Sequence, residues 1–312
     1  MLPSRKKTLV LGLAASLFSG AAFAAEADSC KAITFSDVGW TDITATTATA
    51  SVVLEGLGYE PETQVLSVPV TYASLKNNDV DVFLGNWMPT MEADIAPYRE
   101  DGTVETLVTN LEGAKYTLAV PKYTYDAGLK SFADIAKFAD ELDGEIYGIE
   151  PGNDGNRLIL DMIEKDAFGL KGFDVVESSE QGMLAQVNRL VDDGEDVVFL
   201  GWAPHPMNSA FPIKYLPGGE DFFGGEGIVQ TVTRQGFAEE CPNVGKLLEN
   251  MTFTLPMENE IMGAILNDGE DAGDASLAWM QANPDAVLAW VEGVTTLDGS
   301  DGAAAVTAEL GL

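Results

Sequence analysis

Short apolar runs alternate along this chain with stretches of three-to-four-residue periodicity, the two spacings that mark strands and amphipathic helices. Residues 32–36 read as a strand, and 42–57 as an Ala/Thr-rich helix stopped by Gly58. Residues 64–68 and 80–84 read as further strands, with a helix around 91–98 behind them. Residues 105–109 and 115–120 are extended with little helix between. The spacing of Phe132, Ile135, Phe138 and Leu142 predicts an amphipathic helix over 131–142. A strand at 145–149 and a helix capped by Asn153-Asp154 and running to about 165 come next. A strand at 175–176, a helix over 180–191 and a strand at 197–200 repeat the theme. Alternation of this kind predicts an α/β fold with a mostly parallel sheet. Residues 216–227, LPGGEDFFGGEG, break the pattern. Beyond them helices are expected at 244–249, 257–266, 275–282, 286–291 and 303–310, with Trp279 and Trp290 as packing residues.

Three of the strands end alike. ITFSDVGW (33–40), VDVFLGNW (80–87) and VVFLGW (197–202) each pass through a glycine turn to a tryptophan: Trp40, Trp87 and Trp202. In open α/β sheets a ligand sits outside the carboxyl ends of the strands. Three aromatic faces delivered to that rim would line one cleft, and an aromatic-walled cleft suits a quaternary ammonium group. Other segments at strand ends add Asp42, Tyr116, Asn153 and His205. The set is aromatic, poor in polar groups, and carries one acid in the first turn of a helix. A boundary near 111–114 and another near 205–215 would isolate one lobe, joined to the rest by two crossing strands that form a hinge.

Composition narrows the partners. The chain has 17 Lys+Arg against 50 Asp+Glu, a net charge of −33. Arg5, Lys6 and Lys7, the apolar stretch 8–18 and Ala22-Phe23-Ala24 have the form of a secretory signal cleaved near Ala24. Its loss removes three basic residues and no acid, leaving fourteen against fifty, or −36. Such a field repels nucleic acid and anionic membrane surfaces and attracts a cationic solute weakly. The acids are read chiefly as solubilising an exported protein. Two cysteines, Cys30 and Cys241, in an exported chain read as a disulfide joining the N-terminal segment to the C-terminal part. With one histidine they make a poor zinc set, so no metal and no cofactor is expected.

Enzymatic signatures are missing: there is no G-x-S-x-G, no G-x-x-x-x-G-K-[ST] and no H-E-x-x-H. His205, between two prolines, reads as a structural residue of a strand-end loop. The acidic run 267–276 lacks the spacing of a calcium loop and reads as a solvated turn. A betaine carries a carboxylate, which needs donors, whereas the strand ends supply Asp42. A cation with a neutral hydroxylated tail is therefore favoured, with glycine betaine or proline betaine as the alternative.

Long stretches carry a family resemblance: FSDVGWTDITATTATA, LSVPVTYASLKNNDVDVFLGNWMPTMEADIAPYRE, IYGIEPGNDGNRLI, VVESSEQGMLAQV and MENEIMGAILNDGED. Across essentially the whole mature chain the sequence resembles the glycine betaine/choline solute-binding family of bacterial ABC transporters, and within it the periplasmic choline-binding members. The resemblance implies a bilobed type II periplasmic binding protein fold that closes on its ligand. The leader read over 1–24, one discontinuous lobe from 25–112 plus 209–312, and a second lobe over 113–208 are in keeping with that fold. Trp40, Trp87, Tyr116 and Trp202 match the family's aromatic box, Asp42 and Asn153 its polar contacts, and Cys30 with Cys241 its disulfide. Choline is the implied ligand, acetylcholine a weaker one. Membrane permease and ATPase subunits are the implied partners of a monomeric, periplasmic, non-enzymatic protein. One departure stands beside the box: the family has Glu where this chain has Ala203, so a modest shift in affinity is expected.

Overall fold

Strands that are apolar on both faces need cover on both sides, and the chain supplies it with helices between most strands. The computed structural model describes residues 25–312; the leader read over 1–24 lies outside the described residues. The first half of the sheet is built from β1 (Ala32–Asp37), α1 (Thr41–Gly56), β2 (Glu60–Val65), α2 (Val68–Asn77), β3 (Val82–Met88) and α3 (Glu92–Glu100). The long β4 (Val104–Pro121) leads into the second half. There α4 (Lys122–Ala127), β5 (Glu145–Tyr147), α5 (Asp154–Glu164), β6 (Asp174–Val176), α6 (Glu180–Asp193) and β7 (Phe199–Ala203) follow. Next come α7 (Met207–Ala210), β8 (Ile213–Tyr215), α8 (Glu220–Phe223) and the returning β9 (Gly227–Arg234). The C-terminal part is helical: α9 (Phe237–Glu240), α10 (Pro242–Asn250), α11 (Leu255–Gly263), α12 (Ala272–Ala282), α13 (Pro284–Trp290) and α14 (Gly302–Leu310).

The strands lie in the order β2-β1-β3-β9-β4-β7-β5-β6, with β8 also on β4. The expected mostly parallel sheet is corrected to a mixed one. β1 runs parallel to β2 and β3, and β5 to β6 and β7. The four pairings made by β4 and β9 are antiparallel: β3–β9, β4–β9, β4–β7 and β4–β8. The early half of β4 pairs with β9, from Val104 opposite Arg234 to Ala114 opposite Gly227. Its late half turns to β7, from Lys115 opposite Ala203 to Ala119 opposite Phe199. Three register slips along β9 bend β4 as it passes between the halves. What reads as two extended segments is thus one strand shared by both halves. β8 and α8 stay with the second half: β8 pairs with 119–121, and Phe223 packs edge-on to Tyr116 and tilted against Phe132.

Local expectations shift in four places. The strand read at 64–68 is β2 at Glu60–Val65, and Val68 instead opens α2, a helix the apolar alternation hid. Pro69 suits the first helical turn, where no amide hydrogen is needed. Residues 131–142 are not an α-helix; a 3₁₀ turn over Phe132–Phe138 buries Phe132 and Ile135, which a three-residue repeat aligns as well as a four-residue one. The helix expected over 257–266 is α11, which continues as a π turn at Ala264–Asp268. β9 forms in a stretch where no strand is expected, with Val229, Thr231 and Thr233 buried at alternate positions.

α1 is the central helix of the first half, packing on β1, β3 and the C-terminal helices. A Cβ at Gly85 would lie 2.7 Å from Ile43, so glycine there lets β3 and α1 approach closely. Cys30 and Cys241 form the disulfide, Cα atoms 5.6 Å apart, tying the segment before β1 to the start of α10. Trp279 and Trp290 stack at 6.1 Å. In the acidic 267–276 stretch, Asp271 caps α12 by accepting from the amides of Gly273 and Asp274.

Candidate ligand-binding site

The three strand–glycine–tryptophan units meet in one place. After β1, Gly39 takes φ +81°, a backbone state that favours glycine. The Asp37 carboxylate holds this turn by accepting from the Gly39 amide at 2.6 Å and the Thr44 hydroxyl at 2.7 Å. Trp40 follows at the N-cap position of α1, and its indole N–H donates to Glu150 Oε1 at 2.8 Å. On β3, Trp87 donates its indole N–H to Asp42 Oδ2 at 3.0 Å. On β7, Trp202 lies directly opposite Tyr116 of β4, so both rings leave the sheet on one face. Tyr116 meets Trp87 at 6.0 Å and Trp202 at 6.3 Å between ring centroids, both edge-on.

Trp40, Asp42, Trp87, Tyr116, Ile149 and Trp202 line one small cavity. The centre of a water-sized sphere has about 20 Å³ to move in, which corresponds to a round void roughly 3 Å in radius. That is the size of a fully methylated nitrogen. The four aromatic candidates and Asp42 are thereby brought together. Asn153 stands one layer behind. Its Oδ1 caps α5 by accepting from Asn156 N at 3.1 Å and also accepts from the Tyr116 hydroxyl at 3.0 Å. A Cβ at Gly155 would fall 2.1 Å from that hydroxyl oxygen, so the first turn of α5 admits Tyr116 only because residue 155 is glycine. Ala203 does not line the cavity; it faces Lys115 across the β4–β7 ladder.

The surroundings are acidic. Asp42 is buried, and its Oδ1 has no hydrogen-bond partner among the described residues. Burial, then the neighbouring Glu180 carboxylate, push its pKa up to about 8, against the lowering bond from Trp87. Glu150 rises to about 7 and Asp154 to about 6, each chiefly through desolvation. Glu258, buried behind Asp42, is raised well above the usual carboxylate range by burial and by the Asp42 charge. Among the described residues no Lys or Arg lines the cavity. Arg157 of α5 is engaged elsewhere, donating to Asp94 Oδ2 at 2.7 Å and to the Thr90 carbonyl at 3.0 Å. An incoming monovalent cation would find four ring faces and a buried carboxyl with a spare acceptor.

Sequence reasoning missed Ile149, Glu150 and Glu180. Glu150 and Ile149 adjoin the EPGNDGN segment that supplied Asn153, so strand-end position was signal enough for both. Glu180 lies far from any strand–tryptophan unit and reads only as the first residue of a helix. His205 has the structural role expected: its Nδ1 accepts from the Met207 amide at 2.9 Å, so Nε2 carries the proton and donates to Glu180 Oε1 at 3.2 Å. The imidazole in turn abuts the Trp202 ring, 4.9 Å between centroids.

A family model described as the substrate binding domain of ABC-type glycine betaine transport system matches residues 31–282. A solved structure described as an ABC-transporter choline binding protein in complex with choline is 64% identical, covering 91% of this chain and all of that one, with a TM-score of 0.90. The corresponding unliganded semi-closed structure, at the same identity and coverage, gives 0.84. The uncharacterized protein ORF1 of Chromohalobacter salexigens is 61% identical over 137 residues, 44% of this chain and 86% of that protein.

Proposed function

We propose that this chain, which belongs to the family of substrate-binding domains of ABC-type glycine betaine transport systems, captures choline between its two lobes. Its architecture is the bilobed α/β fold of type II periplasmic binding proteins. Proteins of this family bind a solute outside the cytoplasm and deliver it to membrane subunits of an ABC transporter. Among the described residues no helix is long and apolar enough to cross a membrane.

The observation that carries the choline reading is the chemistry of the cavity wall. A trimethylammonium group offers no classical donor, so only ring faces and net negative charge can recognise it. Each face contributes about 0.5–2 kcal/mol once desolvated. Micromolar binding needs about 8 kcal/mol, which four faces, methyl burial and the Asp42 charge can together supply. The spare Asp42 Oδ1 balances the cation or accepts from the ligand hydroxyl. Glycine betaine would set a carboxylate against this acid wall, where no basic side chain lines the cavity among the described residues. The choline-loaded relative, with the higher TM-score of the two, supports the same reading.

The division into lobes belongs to this proposal. Residues 25–112 with the C-terminal helices form one lobe and 113 onward the other. We move the second crossing from 208/209 to about 224–227, because β8 and α8 pack on the strands of the second lobe. Trp40, Asp42 and Trp87 then come from one lobe, and Tyr116, Ile149 and Trp202 from the other. Asn153 acts on the ligand through Tyr116. The chain works as a monomeric binder, exported by a leader cleaved near Ala24, and turns over no substrate.

Calorimetric titration with choline, acetylcholine and glycine betaine tests the assignment. Choline is expected to bind tightest and acetylcholine more weakly. Glycine betaine binding tighter than choline would overturn it.

A further inference from the structure

A buried carboxylate that the ligand cavity does not use sits between the lobes. Glu180 is the first residue of α6, capped by Ser179, in the second lobe. Its Oε2 accepts from the backbone amide of Thr41 at 2.9 Å, and its Oε1 from the Thr41 hydroxyl at 2.6 Å. Thr41 is the first residue of α1 in the other lobe, flanked by the cavity residues Trp40 and Asp42. The same Oε1 accepts from His205 Nε2, whose ring packs against Trp202. One side chain, 1% exposed, therefore touches the neighbours of three cavity residues drawn from both lobes.

The electrostatics explain why it is an acid. The N-termini of α1 and α6, helices of 16 and 14 residues, converge on this point from opposite lobes. Each carries roughly half a positive charge, so closure brings two like ends together. A carboxylate at the junction is attracted to both and satisfies the free Thr41 amide at the start of α1, where water would otherwise be lost. A neutral amide of the same shape cannot do this: its NH₂ would face either the Thr41 amide or the hydroxyl and imidazole donors.

We propose that Glu180 is the positioning residue of the binding reaction, a latch that seats the α1 corner with Trp40 and Asp42 against the Trp202–His205 side when the lobes meet. The inference rests on the two-lobe reading above but not on choline as the ligand. Glu180 itself does not line the cavity; beyond the rise it causes in the Asp42 pKa, its effect is on how long the closed state lasts.

The test uses the full chain with spin labels on Val70→Cys and Leu160→Cys, two exposed positions on opposite lobes. Interlobe distances are measured by double electron–electron resonance with and without choline. Glu180→Gln is expected to shift the ligand-free population toward the open form and to raise the choline dissociation rate more than tenfold, with a smaller change in the association rate. Should Glu180→Gln fail to fold, Thr41→Val, which deletes one donor, is expected to show a smaller shift of the same sign. Distances and dissociation rates equal to wild type in the folded variants would overturn the latch. If wild type fails to bind choline, the ligand assignment falls, while the ligand-free distances still decide the role of Glu180.

Discussion

Asp42 concentrates the electrostatics of the site in one side chain. Its folded-state pKa of about 8 stands above the ordinary 3.8 of an unfolded chain. A raised carboxyl contributes stability that is complete below the unfolded value and is lost as pH rises toward the folded one. The ligand-free protein should therefore melt lower at pH 8 than at pH 5, and Asp42→Asn should flatten that slope. Thermal melts at the two pH values check this; Glu258 and Glu150, raised in the same direction, keep the flattening partial. A bound cation favours the ionised form, so choline expels the Asp42 proton. Choline affinity is expected to rise with pH, by up to about tenfold per unit, and to level off near 8. Titrations in buffers of different ionisation enthalpy would register the released proton, and Asp42→Asn should abolish it. The rings are testable singly: Trp87→Ala and Trp202→Ala should each weaken choline binding more than tenfold in the same calorimetric assay.

At the scale of elements, the site is placed by a few short turns. Gly39 and Gly155 let Trp40 and Tyr116 reach the cavity, and each does so by lacking a Cβ. Gly155→Ala drives a methyl into the Tyr116 hydroxyl and should cost more than tenfold in choline affinity. Adding Tyr116→Phe removes the struck oxygen and should restore part of the loss; a double variant no better than Gly155→Ala would refute the steric account. The run–glycine–tryptophan units were legible because they are local, an apolar run, a glycine and an aromatic within eight residues, but the expected turn exists only at Gly39, and Trp87 and Trp202 stand inside β3 and β7. What stayed hidden depends on pairing across long separations. β9 looked unremarkable after a glycine-rich break, yet it lies beside both β3 and β4 in the middle of the sheet. Glu180 meets Thr41 across 139 residues, and no spacing in the chain announces that contact. The helix α2 was masked because its apolar residues alternate at the start, and the 3₁₀ turn at Phe132–Phe138 because a three-residue repeat mimics an α-helical face.

Taken whole, the molecule couples a strongly acidic surface to an acid-rich, aromatic interior. The net charge of −33 makes a field that draws cations toward the cleft, and salt screens it over about 10 Å at 0.1 M. Stopped-flow tryptophan fluorescence should show the choline association rate falling by about two- to tenfold between low and high ionic strength, with the dissociation rate nearly unchanged. On the proposed two-lobe division, with β4 running between the lobes, ring contacts from Trp40 and Trp87 on one side and Tyr116 and Trp202 on the other would come together only on closure. Recognition and closure then become one event, with Glu180 prolonging it from outside the cavity.

The account turns on the positive charge of the ligand rather than on its shape. The most direct measurement is therefore a calorimetric comparison of choline with 3,3-dimethylbutan-1-ol, in which carbon replaces the quaternary nitrogen and the volume is kept. Ring faces at about 0.5–2 kcal/mol each, together with Asp42, predict that choline binds more than about a hundredfold tighter. Affinities within threefold of each other would contradict the account, because the cavity would then be reading three methyl groups and not a cation.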